Sequence, residues 1–205
     1  MLNDTNHQKA FLFTALMMVA GFTVIPYITI YTTINGGLTV QQVPYVYLLG
    51  GAATLVTTRW VGRLTDSVGK AKMFSIMSVF AMFTVFLVSL SAPFGLWGIL
   101  SVTTLMFIGM NGRMVPGMAL VTSAAEPKLR GTFMALNASV QSAAMGVATF
   151  VGGLVISRDA QGLVQYFWIN ALLGAVAAAL GLMLVGRLKL YGAAMPGKVK
   201  TAANN

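Results

Sequence analysis

Cysteine is absent from the 205 residues. That absence removes disulfides, thiolate metal sites and cysteine nucleophiles. Histidine occurs once, as His7, ahead of the first long apolar run. There are four acidic residues, Asp4, Asp66, Glu126 and Asp159, and all lie outside the apolar runs. A zinc centre or a carboxylate-based membrane enzyme therefore has no cluster to work with, so neither a metal nor a cofactor nor an enzymatic activity is expected. Charge is scarce altogether, at 8% of residues against 57% hydrophobic. Soluble domains carry about 25% charge, so this balance excludes a soluble globular fold. What charge remains is mostly of one sign, net +9. Such a surplus could mean nucleic acid, but its distribution along the chain assigns it to membrane topology, and no nucleic-acid partner is expected.

Apolar runs are what the chain does have. They cover residues 11–31, 43–61, 73–90, 96–120, 132–156 and 166–185. A helix of about 20 residues spans a bilayer core. The pattern predicts an all-α membrane protein with six transmembrane helices, its main partner the lipid bilayer. Residues 1–10 read as a polar N-terminal segment, 11–187 as the six-helix transmembrane domain and 188–205 as a basic tail. The first run is longer than the core of a signal peptide and no small-x-small cleavage site follows it, so it reads as a membrane helix. Pro26 near its far end predicts a kink. Asn35-Gly36-Gly37 is a turn signal, and residues 157–165 read as a polar loop.

The basic residues are distributed unevenly among the connections. Lys9, Arg59, Arg63, Lys70, Lys72, Lys128, Arg130, Arg187, Lys189, Lys198 and Lys200 fall on one side of a six-helix topology, and Arg158 alone on the other. Positively charged loops stay on the cytoplasmic side. Both termini are therefore expected in the cytoplasm, with the chain in the cell (inner) membrane.

Two charged turns punctuate the runs. The first, residues 62–72, holds Gly62, Asp66, Gly69, Lys70 and Lys72 between the second and third runs. An acid there can accept from helix-end N–H groups, and glycines let backbones approach closely. A tight turn flanked by positive charge for topology is the plainer reading of the same residues. The second turn, residues 126–131, ends in Arg130 and Gly131.

Inside the fourth run, Arg113 lies seven residues before Leu120, about 10 Å from the run's end. An arginine near mid-membrane costs about 2.5–3.5 kcal/mol. It either faces a cavity or partner, or carries its guanidinium out to the headgroups on its long stem. Asn111 adds polarity beside it, and Pro116 leaves a carbonyl without its helical donor. In the fifth run Asn137 and Gln141 share a face, next to a stripe of small residues, Ala138, Ser142 and Gly146, that predicts close helix packing. The two amides need partners, either another helix or a watery cavity. The expected cavity lining is thus Asn111, Arg113, Pro116, Asn137 and Gln141. Ala171, Gly174, Ala175, Ala179 and Gly181 read as packing in the sixth run, and the many Met and Phe residues read as lipid-facing bulk.

These motifs carry a resemblance. Gly62-x-x-x-Asp66-x-x-Gly69-Lys70 resembles the cytoplasmic loop signature of the major facilitator superfamily, with Ser67 where that family usually has a basic residue. The stretches 21–27, 111–116, 127–131, 136–141 and 159–162 occur in matching order and spacing. Together they are similar to the carboxyl-terminal six-helix half of bacterial exporters in the group of predicted arabinose-efflux permeases, among the drug:proton antiporter-like members. The family's Gly-Pro antiporter signature belongs to the other half, and Ala148-Thr149 stands where it would precede Gly152-Gly153. The resemblance implies six helices as two inverted three-helix repeats, half of a twelve-helix transporter, and this superfamily is itself a standard example of that architecture. It implies efflux of a small molecule by alternating access, with residues 62–72 as a cytoplasmic gating loop. The partner would be a second six-helix half or, in a homodimer, a second copy. A truncated, non-transporting remnant or membrane assembly partner is the rival expectation.

Overall fold

The computed structural model describes residues 4–191. The remainder of the basic tail, including Lys198 and Lys200, lies outside the described residues. Within them the protein is an all-α membrane protein. Its helices are α1 (Thr5–Phe22), α2 (Ile28–Ile34), α3 (Val43–Val68), α4 (Lys70–Ser89), α5 (Gly95–Ala124), α6 (Arg130–Val155) and α7 (Phe167–Val185). A two-residue hairpin, β1 (Ser157–Arg158) with β2 (Val164–Gln165), replaces the expected loop between α6 and α7.

Each boundary has a local cause. The Asp4 carboxylate accepts the Asn6 amide at 2.7 Å and caps α1. The helix therefore starts inside the segment expected to be a polar N-terminal stretch, and Asn6, His7 and Ala10 are buried. The polar side chains there serve as anchors. Asn6 Nδ2 donates to the carbonyls of Ala124 and Lys189, while its Oδ1 accepts the Lys189 amide. α1 stops ahead of Pro26, which cannot return an N–H to the Phe22 carbonyl. A 3-10 turn at Ile25–Tyr27 bridges to α2, and the pair form one 30-residue span.

The first charged turn is corrected more substantially. Residues 62–68 are the last two turns of α3, and the reversal takes place at Gly69, whose φ of 98° suits a residue without Cβ. At 26 residues, α3 is about 39 Å long, more than a hydrocarbon core of about 30 Å. Six apolar spans are expected, and among the described residues five helices are long and apolar enough to cross a membrane. α3 is long enough, but its threonines, Arg59, Arg63 and Asp66 leave it less apolar.

α1 and α5 sit at the centre and touch each other. α3 and α4 pack on α5, α6 and α7 pack on α1, and α4 meets α7. Small residues set the closest approaches. A Cβ on Gly109 would lie 2.9 Å from the Ala81 Cα, so the α4 and α5 backbones nearly touch. Gly152 and Gly174 bring α6 and α7 onto α1 in the same way, against the carbonyls of Thr23 and Ala20. The stripe Ala138, Ser142, Gly146 does no such work, because all three are exposed on the outer face of α6. The two larger of four apolar clusters among the described residues fill most of the bundle. One lies around Ile28, Val85, Ile99 and Phe167, the other around Phe13, Phe74, Leu120 and Phe133.

The two ends are tied differently. At one end Lys70 Nζ donates to Ser123 Oγ at 2.7 Å, the Tyr191 amide donates to the Ser123 carbonyl, and Asn6 holds Ala124. At the other, Asn35 Nδ2 donates to the Val164 carbonyl and Asn35 Oδ1 accepts the Val164 amide, both at 2.9 Å. That end carries the hairpin and Arg158.

Candidate functional site

Two polar residues of the interior, Arg113 and Asn137, converge on α1. From α5, Arg113 reaches across, and its Nη2 donates to the Met17 carbonyl at 3.0 Å. Gly21 leaves room for this contact. It stands one turn after Met17, and a Cβ there would come within 3.0 Å of Nη2. From α6, Asn137 is buried and its Oδ1 accepts the Thr14 hydroxyl at 2.7 Å. Thr14 and Met17 are three residues apart, so they share one face of α1. One helix thus receives the arginine of α5 and the amide of α6 on successive turns.

Arg113 is 3% exposed. Its guanidinium does not run out to the surface along its stem but stays inside the bundle. Its Nε is buried without a hydrogen-bond partner. Among the described residues the only carboxylate–base pair is Asp4 with His7 at 3.7 Å, so Arg113 has no carboxylate beside it. A buried guanidinium with a single carbonyl is an unbalanced charge.

Beside Arg113 lies a cavity of about 150 Å³, lined by Met17, Met18, Gly21, Phe22, Ile25, Met110, Asn111, Arg113 and Met114. Of the expected lining residues it holds Asn111 and Arg113. Asn111 is otherwise exposed and donates from Nδ2 to the Phe107 carbonyl of its own helix. Pro116 is buried within α5, and Asn137 and Gln141 stay on α6 away from this cavity. The methionines correct the reading of Met as lipid-facing bulk, since Met17, Met18, Met106 and Met110 are buried. Which face of α1 and α5 turns inward decides this, and composition does not carry it.

Three further residues of the interior had no strong sequence signal. Thr14 and Gly21 look ordinary in an apolar run. Asn170 is the lone amide of α7. It donates to the Gly152 carbonyl at 3.0 Å, while its Oδ1 is buried without a partner. A single amide in so apolar a helix was the available clue.

The gating-loop residues are placed differently. Asp66, Gly69 and Lys72 are exposed and Gly62 is half-buried. A Cβ on Gly62 or Gly69 would meet nothing within 4 Å, so neither glycine serves a close approach among the described residues. Asp66 makes no hydrogen bond or ion pair among the described residues, whereas Lys70 is tied to Ser123. Arg130 and Gly131 open α6 and are exposed. A wider groove of about 710 Å³ opens between α3 and α5, lined by Leu49, Val56, Trp97 and Leu105 among others. It holds no charged group and is chemically unlike the arginine cavity. No family model matches the chain, and no curated protein matches it.

Proposed function

We propose that the chain is one six-helix half of a secondary transporter of the major facilitator type, exporting a small molecule by alternating access. The observation that carries this reading is Arg113, a buried cation beside a cavity at the centre of a membrane bundle. Intramembrane ionisable groups mark substrate or ion pathways. The packing supports it. Exchanging α1–α2, α3, α4 for α5, α6, α7 leaves the pattern of helix contacts unchanged, as two three-helix repeats would require. Three helices per repeat, an odd number, invert the second against the first. α3 then crosses the membrane as the sixth span, despite its lower apolarity.

The partner follows from what this bundle leaves uncovered. α3 packs on α5 and only lightly on α4, and presents Arg59, Trp60, Arg63 and Asp66 outward. α6 packs chiefly on α1 and presents its small-residue stripe outward. Charged groups at a membrane edge suit polar contact with a partner, and small residues suit close helix contact. A second six-helix half laid over these faces would cover both and receive Asp66 at one of its helix N-termini. A second copy of this chain could occupy the same faces, which makes a homodimer the second reading. The described basic residues other than Arg113 and Arg158 gather toward the Ser123 end, which supports the reading that both termini face the cytoplasm of a cell whose inner membrane holds the protein.

The test is flux in proteoliposomes. The chain alone, shown to be a monomer, is expected to be inactive, and co-expression with a six-helix companion half is expected to give saturable flux. Flux from a demonstrated monomer would overturn the half-transporter reading, and flux from a demonstrated dimer would select the homodimer.

A further inference from the structure

Arg113 poses a problem of charge that the chain does not solve. The residue is buried, at 3% exposure. Its Nε has no partner, and its one protein acceptor in view is the Met17 carbonyl. The four acids of the sequence stand at helix ends or in the connections, at Asp4, Asp66, Glu126 and Asp159. None can reach the middle of α5. A desolvated cation of this kind is stabilised by an anion brought to it.

The fork of a guanidinium matches a carboxylate, which it can bind through two N–H groups at once. With one Nη2 N–H engaged by Met17, the guanidinium keeps donors that no protein group takes, Nε among them. The cavity that the Arg113 side chain lines has two characters. Asn111 adds one amide at its edge, and Met17, Met18, Met110 and Met114 supply a soft, adaptable apolar wall. Its volume of about 150 Å³ equals that of an apolar cavity that accepts benzene. A strongly hydrated dianion such as phosphate would leave most of that wall unused, and a cation would be repelled.

We propose, on the footing of the transporter reading above, that the substrate class of this cavity is small organic monocarboxylates. The carboxylate sits on the Arg113 fork, and an apolar body of about six carbons lies among the four methionines. Gly21 is a positioning residue, because its missing Cβ lets the guanidinium hold its place over α1.

Binding of radiolabelled hexanoate to the full chain in phosphatidylcholine nanodiscs tests this, with empty nanodiscs as the partition control. Saturable binding is expected, displaced by unlabelled hexanoate or benzoate. Hexanamide and hexylamine, which keep the body and lose the anion, should compete at least tenfold more weakly. Arg113→Gln should lose tenfold or more in affinity with helicity unchanged. Gly21→Ala keeps the charge and favours the helix, and should still lose threefold or more. Equal competition by hexanamide would overturn the assignment without reference to any variant. Displacement by chloride at equal concentration would make the site a halide site and would also overturn it.

A carboxylate could instead come from the companion half. In the co-purified pair hexanoate should still bind. Loss of binding there, restored by neutralising an acid of the companion, would show that the companion supplies the counter-charge and would overturn the substrate assignment. The two readings fail separately. Hexanoate binding without any flux from the pair would remove the transporter reading and leave the site. Flux indifferent to Arg113→Gln would remove the carboxylate and leave transport.

Discussion

Arg113 on α5 and Met17 on α1 are joined by one hydrogen bond of 3.0 Å, and it links the two central helices of the bundle. The bond is poor compensation for a buried charge. Replacing a buried ionic group by an apolar side chain of similar volume is often neutral or stabilising, by about 1–4 kcal/mol. Arg113→Met is therefore expected to keep or raise the thermal midpoint of the purified chain in detergent, while flux by the paired transporter is lost. A fall in the midpoint of ten degrees or more would assign the arginine to stability instead.

Asn35 and Val164 exchange two hydrogen bonds across the far end of the bundle, both at 2.9 Å. Asn35→Ala strands the amide and the carbonyl of a buried residue. The expected loss is about 1–3 kcal/mol, read as a lower thermal midpoint. Asn35→Asp keeps the acceptor and loses the donor, and should fall between the two. An unchanged midpoint for Asn35→Ala would show that water replaces both bonds without cost.

Thr14 and Asn137 make a buried side-chain bond between α1 and α6. Such bonds in membrane bundles average about 0.6 kcal/mol in double-mutant cycles. The cycle of Thr14→Val with Asn137→Leu should therefore give a coupling below about 2 kcal/mol, because the membrane-embedded reference state also finds partners. A larger coupling would mean that α6 is held on α1 chiefly by this bond and not by Gly152.

The absence of native cysteine makes single-cysteine labelling free of background. Lys128 and Arg158 are both exposed and lie at opposite ends of α6. In intact spheroplasts an impermeant maleimide should label Arg158→Cys directly and Lys128→Cys only after permeabilisation. The reverse pattern would invert the proposed orientation.

The Asp4 carboxylate is held below the usual carboxylate range, first by the Asn6 amide that it accepts and further by its neighbour His7. A depressed folded-state value stabilises the ionised form. That contribution is fully present above the ordinary carboxylate range and is lost as pH falls through the lower folded value. Unfolding followed between pH 6 and 2 should show the acid-side loss in the native chain and a smaller one in Asp4→Asn. Equal slopes would remove the cap from the account.

Fold class was legible because it follows from solvent alone. Runs of apolar residues of bilayer length, with so little charge, have no other way to satisfy their backbone than as membrane helices. Pro26 announced the break between α1 and α2, and the basic residues announced which connections share a side. In the charged stretch 62–72 the residues expected to form a turn at a membrane edge instead continue α3 to Val68. Only Gly69 carried the turn.

Arg113 was visible as an anomaly of cost, but its direction was not. Whether it snorkels or turns inward depends on the carbonyl of Met17 and the room left by Gly21, which lie 96 and 92 positions away in sequence. The inward faces of the methionines and the idle outward face of Ala138, Ser142 and Gly146 were hidden for the same reason. Periodicity shows that a helix has a face. Only the packing of α6 on α1, set by Gly152 against Thr23, decided which face was used.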